Sequence, residues 1–166
     1  MDAATHGWGL APVDETLVLI RDAEPRSTGD AEVVLTPLDA PGFIDDVAAL
    51  NGYDDANRAP LVGIVERIDV GIGLWLPGTA VAIAGVVHAM CCVFSLAVAP
   101  AARGQGLASA VVERARAWGH EQGARHMALQ VLGTNAPARR LYERLGFETA
   151  YTYHYLEPHT ASTSLS

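Results

Sequence analysis

The chain has 166 residues, half of them apolar, with 19 Asp and Glu against 11 Arg, no Lys and a formal net charge of −8. That length and apolar content suit one domain with a sizeable core, and the negative balance argues against nucleic acid or an anionic membrane as partner. Charge is unevenly placed: residues 1–95 carry a net −10 and residues 96–166 a net +2. Cys91 and Cys92 are adjacent inside an apolar run, so they read as small buried hydrophobes rather than a disulfide framework, and the chain reads as cytoplasmic. The opening MDAATHGWG lacks a basic stretch followed by an apolar one, so no signal peptide is expected there.

In chain order, the patterning predicts a strand at 16–21 (TLVLIR), a short strand at 32–36 and helices at about 41–50 and 57–67. Strands then follow at 70–76, 79–87 and 91–98, with Pro77-Gly78 as a hairpin signal. Thr79 to Pro100 carries no Asp, Glu, Lys or Arg and is long enough to cross a bilayer. Its β-branched content, Gly85, His88 and Ser95, and the lack of a basic leading flank favour two successive buried strands with a tight turn near His88 to Met90. A helix at 106–121, a strand at 126–132, a helix at 136–145 and a strand at 147–156 complete the order. Adjacent strands in the middle and alternating strands and helices at the end imply an α/β fold of the α+β type. It is a mixed, mostly antiparallel central sheet flanked by helices, parallel where helix 106–121 crosses over.

Leu107, Val111, Ala115 and Trp118 lie on one face of the first long helix, which should pack on the sheet. Ala138, Leu141, Tyr142 and Leu145 form a similar stripe on the later helix, where Asn135 occupies the N-cap position and Pro137 the first turn. Tyr142 is thereby directed inward. In the last strand Phe147, Thr149, Tyr151, Tyr153 and Tyr155 alternate with Glu148, Ala150, Thr152 and His154, which predicts one aromatic face. The tail from Pro158 is polar and unpatterned and is expected to be a frayed terminus.

Arg103-Gly104-Gln105-Gly106-Leu107-Ala108 joins an apolar strand to the start of a helix. Glycines let backbone N–H groups come close to a phosphate, and a helix start adds unpaired donors and a partial positive charge. A P-loop is excluded because no Gly-Lys-Ser/Thr follows. A dinucleotide turn needs an acid about 20 residues on, yet Gln122 to Tyr142 contains no Asp or Glu. What remains is the pattern Arg/Gln-x-x-Gly-x-Gly/Ala. It resembles the acyl-coenzyme A pyrophosphate loop of the GNAT superfamily of N-acetyltransferases, and downstream LQVLGTNAPARRLYERLGF is similar to that family's strand, Asn-bearing turn and Tyr-bearing helix ending in Gly-Phe. The resemblance is specific from about Val81 to Leu156.

This resemblance implies an acyltransferase that moves an acetyl group from acetyl-coenzyme A, as co-substrate, to a small-molecule or peptide amine by direct attack in a ternary complex. It implies no metal. Coenzyme-binding positions carried over are Arg103, Gly104, Gln105, Gly106, Leu107, Ala108 and Ser109 at the loop, with Asn135, Arg139 and Tyr142 from the later turn and helix. The strand SLAV should splay from the strand at 126–132, leaving backbone groups at Leu96, Ala97 and Val98 to pair with the pantetheine arm, and an N–H near Val98 at the strand bulge to hold the oxyanion. An alkyl ammonium of pKa about 10.4 must first lose a proton, a cost of roughly 4 to 5 kcal/mol at pH 7. Tyr142 is expected to hydrogen-bond the departing sulfur, since a phenol of pKa about 10 protonating a thiolate of about 8.5 is uphill by around 2 kcal/mol. Glu66 is the favoured base among Asp54, Asp55, Glu66 and His88, and the acidic first half favours a cationic amine.

Residues 1–24 add a further expectation. HGWGLAPVDETLVLIRDAEP resembles the closing LGFETAYTYHYLEP, as the end of a preceding acetyltransferase unit would, ahead of a domain at 25–157 and a disordered tail at 158–166. Such a remnant strand pairs either with its own sheet or with that of a second subunit in a homodimer. The competing class is a coenzyme A-binding module without catalysis, acting as a sensor or as a structural half of a larger protein. A nucleophile hydrolase is disfavoured because neither Gly-x-Ser-x-Gly nor a Cys/His arrangement occurs.

Overall fold

A computed structural model describes residues 10–24 and 33–158. The expected start of the short strand at Glu32, the frayed tail beyond Pro158 and the MDAATHGWG opening lie outside them. Twelve elements follow in order: β1 (Leu10–Asp22), β2 (Val34–Thr36), α1 (Phe43–Asn51), α2 (Asp55–Val65), β3 (Gly71–Leu76), β4 (Ala80–Val87), β5 (Met90–Val98), a 3-10 turn (Pro100–Ala102), α3 (Leu107–Glu121), β6 (His126–Leu132), α4 (Ala136–Arg144) and β7 (Glu148–Pro158). They form one seven-stranded sheet in the order β2-β3-β4-β5-β6-β1-β7. Every neighbouring pair is antiparallel except β5 with β6, the crossover made through α3. This is the expected mixed, mostly antiparallel sheet. Among the described residues no helix is long and apolar enough to cross a membrane, and Thr79 to Pro100 is the β4–β5 hairpin, turning at His88 with φ 52°.

The sheet is covered unequally. On one face Val111, Val112, Ala115 and Trp118 of α3 and Tyr142 of α4 pack on Leu17 and Leu19 of β1, Val93 of β5 and Met127, Leu129 and Val131 of β6. On the other, Phe43 and Val47 of α1 and Leu61 of α2 cover Val81 and Ile83. Asp46 ties α1 to the β3–β4 turn, accepting from Trp75 Nε1 and Gly78 N–H, both at 2.7 Å. Gly119 lets α3 reach β5: a Cβ there would lie 2.7 Å from the Cβ and Sγ of Cys91. That close packing leaves Cys91 buried, and burial pushes its thiol from 9.0 up to about 12. The folded state therefore holds the Cys91 proton more tightly than the unfolded chain. Stability is full below pH 9 and is lost as pH rises toward about 12, by up to about 1.4 kcal/mol per unit. Urea unfolding between pH 8 and 11 checks this, and Cys91→Ala should flatten the part of the slope that the thiol contributes.

β1 is longer than the predicted 16–21 and sits inside its own sheet, between β6 (Thr16 opposite Leu132) and β7 (Thr16 opposite Tyr153). Arg21 anchors it, reaching Glu113 of α3 at 3.4 Å and the Leu145 carbonyl while stacking over the Phe147 ring. Arg116, with no exposure, binds Glu113 and the Glu24 carbonyl just past the strand.

The expected single aromatic face of the last strand needs correcting. Val18 stands opposite Tyr151 but Leu19 stands opposite Thr149, so Ala150 is an extra residue, a bulge in β7. A one-residue slip moves the side chains to the other face. Phe147 consequently joins the α3–α4 core at 5% exposure, whereas Tyr151 and Tyr155 stand on the opposite face at 59% and 58%.

Candidate active site

The site begins where β5 leaves β6. Their parallel pairing covers only Met90 to Val93 opposite His126 to Leu129. On the other side of β5, Phe94 opposes Ile83 and Ala97 opposes Val81, so Ser95 and Leu96 share one partner position and the strand bulges. The bulge thus lies before Leu96, not at Val98 as expected. Ser95 holds φ 52°, a left-handed value uncommon for a residue other than glycine. Two residues at the end of α1 secure it: Asn51 Nδ2 donates to the Ser95 carbonyl at 3.0 Å, and the Tyr53 hydroxyl lies 3.4 Å from Ser95 Oγ.

Beyond the bulge the ladder alternates. Ala99 N–H donates to the Thr79 carbonyl, and with Ala97 opposite Val81 this aims the backbone groups of Ala97 at β4 and those of Leu96 and Val98 into the gap. There the Val98 carbonyl accepts from Arg103 Nε at 3.2 Å. The gap opens into a cavity of about 810 Å³ walled by Leu96, Val98, Leu129 and Val131, with Tyr142 of α4 and Asn51 and Tyr53 among its lining.

A second cavity, of about 330 Å³, lies at the start of α3 and is lined by Arg103, Gly104, Gly106, Leu107, Ala108, Ser109 and Arg144 among others. Gly104 and Gly106 hold φ 77° and 79°, which a side chain would strain. Gly106 caps α3 without a side chain, and its carbonyl accepts the first helical bond from Ala110 at 3.0 Å. The N–H groups of Leu107, Ala108 and Ser109 precede that bond and have no carbonyl within the helix. Donors, a helix start and two arginines make this an anion cradle, and Arg103 and Ala108 line both cavities.

The remaining expected residues divide. Leu96, Ala97, Val98 and Tyr142 line the larger cavity. Asn135 does too, while its Oδ1 caps α4 by accepting from Ala138 N–H at 3.2 Å. Gln105 and Arg139 line neither cavity: their side chains bind the carbonyls of Ala101 at 3.4 Å and Gly133 at 3.1 Å. Glu66 is exposed at the C-cap of α2 and likewise lines neither. Asp54 is spent on capping α2, and Asp55 and His88 are exposed.

Tyr142 is buried, and burial raises its phenol above the ordinary value of 10. It is therefore a proton-bearing donor at neutral pH. Asn51, Tyr53, Ser95, Gln130 and Arg144 were not singled out from sequence; only Arg144, a cation closing an amphipathic helix, left a local trace. Gln130 is held by the Tyr153 hydroxyl, which donates to its Oε1 at 3.1 Å.

Comparison with known proteins shows the family. The model of the acetyltransferase (GNAT) family matches residues 54–147. Streptothricin acetyltransferase of Streptomyces lavendulae is 42% identical over 50 residues, a stretch that is 30% of this chain and 26% of that protein. A GCN5-related N-acetyltransferase from Sphaerobacter thermophilus superposes with TM-score 0.73 at 15% identity, over 92% of this chain and 54% of its own. The ribosomal-protein-S18-alanine N-acetyltransferase of Escherichia coli superposes with TM-score 0.60 at 25% identity, over 71% of this chain and 79% of its own.

Proposed function

Because the chain belongs to the acetyltransferase (GNAT) family, we propose that it transfers an acetyl group from acetyl-coenzyme A to an amine by direct attack in a ternary complex. The observation that carries this reading is the junction of an open strand gap with an uncapped helix start. One offers strand-like pairing to an amide-bearing arm, the other donors to a diphosphate, and Arg103 lies between them. When bound, acetyl-coenzyme A supplies an acyl group activated as a thioester and a thiol that can leave.

The chain's own groups would do the rest. Leu96 N–H, the first past the bulge to face the gap, takes the role expected of Val98 and donates to the developing oxyanion. Tyr142 donates a hydrogen bond to the sulfur, because its raised pKa makes full proton transfer to a thiolate more uphill than for an ordinary phenol. The amine enters on the side of Asn51, Tyr53 and Gln130, and the hydroxyls of Tyr53 and Ser95 pass its proton toward solvent. This side of the cleft is lined by neutral groups, so we assign it a small-molecule or peptide amine with no requirement for a second positive charge. The streptothricin and S18-alanine acetyltransferases, by their names, represent those two classes of acceptor.

Calorimetry with acetyl-coenzyme A, followed by thiol release in the presence of an amine panel, tests the proposal. Binding with no release by any amine would favour the second reading, a coenzyme-binding module. Its support is that no described residue lining the larger cavity is Asp, Glu or His. Tyr142→Phe is expected to lower kcat about tenfold while leaving the Kd for acetyl-coenzyme A within about twofold, the size of one hydrogen bond made as the sulfur leaves. Unchanged kcat would remove Tyr142 from the reaction.

A further inference from the structure

Ser95 is the first residue of the β5 bulge and holds φ 52°, a conformation that a bulge of this kind ordinarily gives to glycine. A serine keeps it only where its surroundings leave no alternative. Those surroundings come from α1. Gly52, left-handed at φ 69°, ends that helix, and the N–H groups of Gly52 and Tyr53 turn back to the carbonyls of Ala49 and Ala48 at 3.2 and 2.9 Å. The reversal lets the residues on both sides of Gly52 reach Ser95, Asn51 at its carbonyl and Tyr53 at its hydroxyl.

The orientation of Asn51 is forced by its partners. Its side chain meets two backbone carbonyls, those of Val47 at 2.9 Å and Ser95 at 3.0 Å, and only the amide nitrogen can donate to them. Both N–H groups of Nδ2 are thereby used, one on the helix and one on the bulge. The helix is itself fixed, because Asp46 holds the β3–β4 turn and Phe43 packs edge to face on Trp75 with ring centroids 5.8 Å apart. Asn51 thus ties the bulge to an anchored strut.

We propose that Asn51 is a positioning residue for acetyl transfer: by holding the Ser95 carbonyl it keeps Ser95 left-handed and so aims the Leu96 N–H into the gap. This rests on the reading of Leu96 as the oxyanion donor. Glycine at this position would reach the same φ without a tie but would leave it as readily. Serine held by Asn51 keeps one conformation, as a preorganised donor requires.

In Asn51→Ala, kcat should fall at least about tenfold as the oxyanion donor loses its aim. The Kd for acetyl-coenzyme A, set chiefly at the start of α3, should stay within about threefold. In a Ser95→Gly background the same substitution should lower kcat less than about threefold, since glycine takes a positive φ unaided, whereas a loss through packing alone would be equal in both backgrounds. Asn51→Asp keeps the size of the side chain while removing both donors, and it repeats the test should the alanine variant not fold.

A second measurement needs no substrate. At positive φ the amide and α protons of one residue approach most closely, so the strong nuclear Overhauser effect between them at Ser95 should weaken in Asn51→Asp. An unchanged effect, or equal losses of kcat in the two backgrounds, would overturn the proposal. A weakened effect in a protein that acetylates no amine would support the tie between Asn51 and Ser95 and overturn the acetyltransferase reading, with its use of Leu96.

Discussion

Gly106→Asp is expected to raise the Kd for acetyl-coenzyme A at least 100-fold, about 2.7 kcal/mol, in calorimetry. Two costs combine. The backbone at φ 79° disfavours a side chain by roughly 1 kcal/mol, and a carboxylate at the N-cap takes up the very donors that a diphosphate would use. Gly106→Ala bears only the first cost and should weaken binding less than about tenfold. Nothing lies within 4 Å of a Cβ at this position, so neither variant should unfold the domain. Equal affinity in wild type and Gly106→Asp would mean that the start of α3 does not hold the ligand, whatever the family resemblance implies.

Arg116→Ala is expected to destabilise the fold by about 3 to 5 kcal/mol, the usual cost of removing one member of a buried charge network. The Arg116 side chain has no exposure and Glu113 only 18%. The truncation would leave that carboxylate with Arg21 alone at 3.4 Å and free the Glu24 carbonyl from its donor. For a domain of this size the midpoint of thermal unfolding should fall by about 6 to 20 °C. Arg116→Lys keeps the charge but not the planar fork, so its loss should be smaller. A drop of less than about 2 °C in Arg116→Ala would show that β1 is held by its strand pairing and not by this network.

Both predictions rest on residues whose roles differ in how far sequence could reveal them. Gly106 announced itself: two glycines and an arginine between an apolar strand and a 3.6-period stripe leave few other readings, and the stripe itself packs as its spacing demands, with Val111 and Ala115 fully buried. Arg116 gave no such sign: its pairing with Glu113 is the ordinary i,i+3 pattern of an exposed helix face, and the Glu24 carbonyl just past β1 that it also binds lies some ninety residues away. The same contrast separates Asn135, a cap read from its neighbours, from Glu66, whose helix was foreseen but whose place outside the lining of both cavities was not.

The sequence by itself determined the order of strands and helices, the glycine turn at the head of α3 and the inward aim of Tyr142, because each depends on spacing within a few residues. Tertiary structure decided the place of β1 between β6 and β7, the left-handed Ser95 that opens the strand gap, and the slip at Ala150 that sends Phe147 and Tyr151 to opposite faces. These follow from which backbone meets which across the sheet, as where Thr16 meets both Leu132 and Tyr153. Any of several registers would satisfy the local pattern, and only the packed core on both faces selects one.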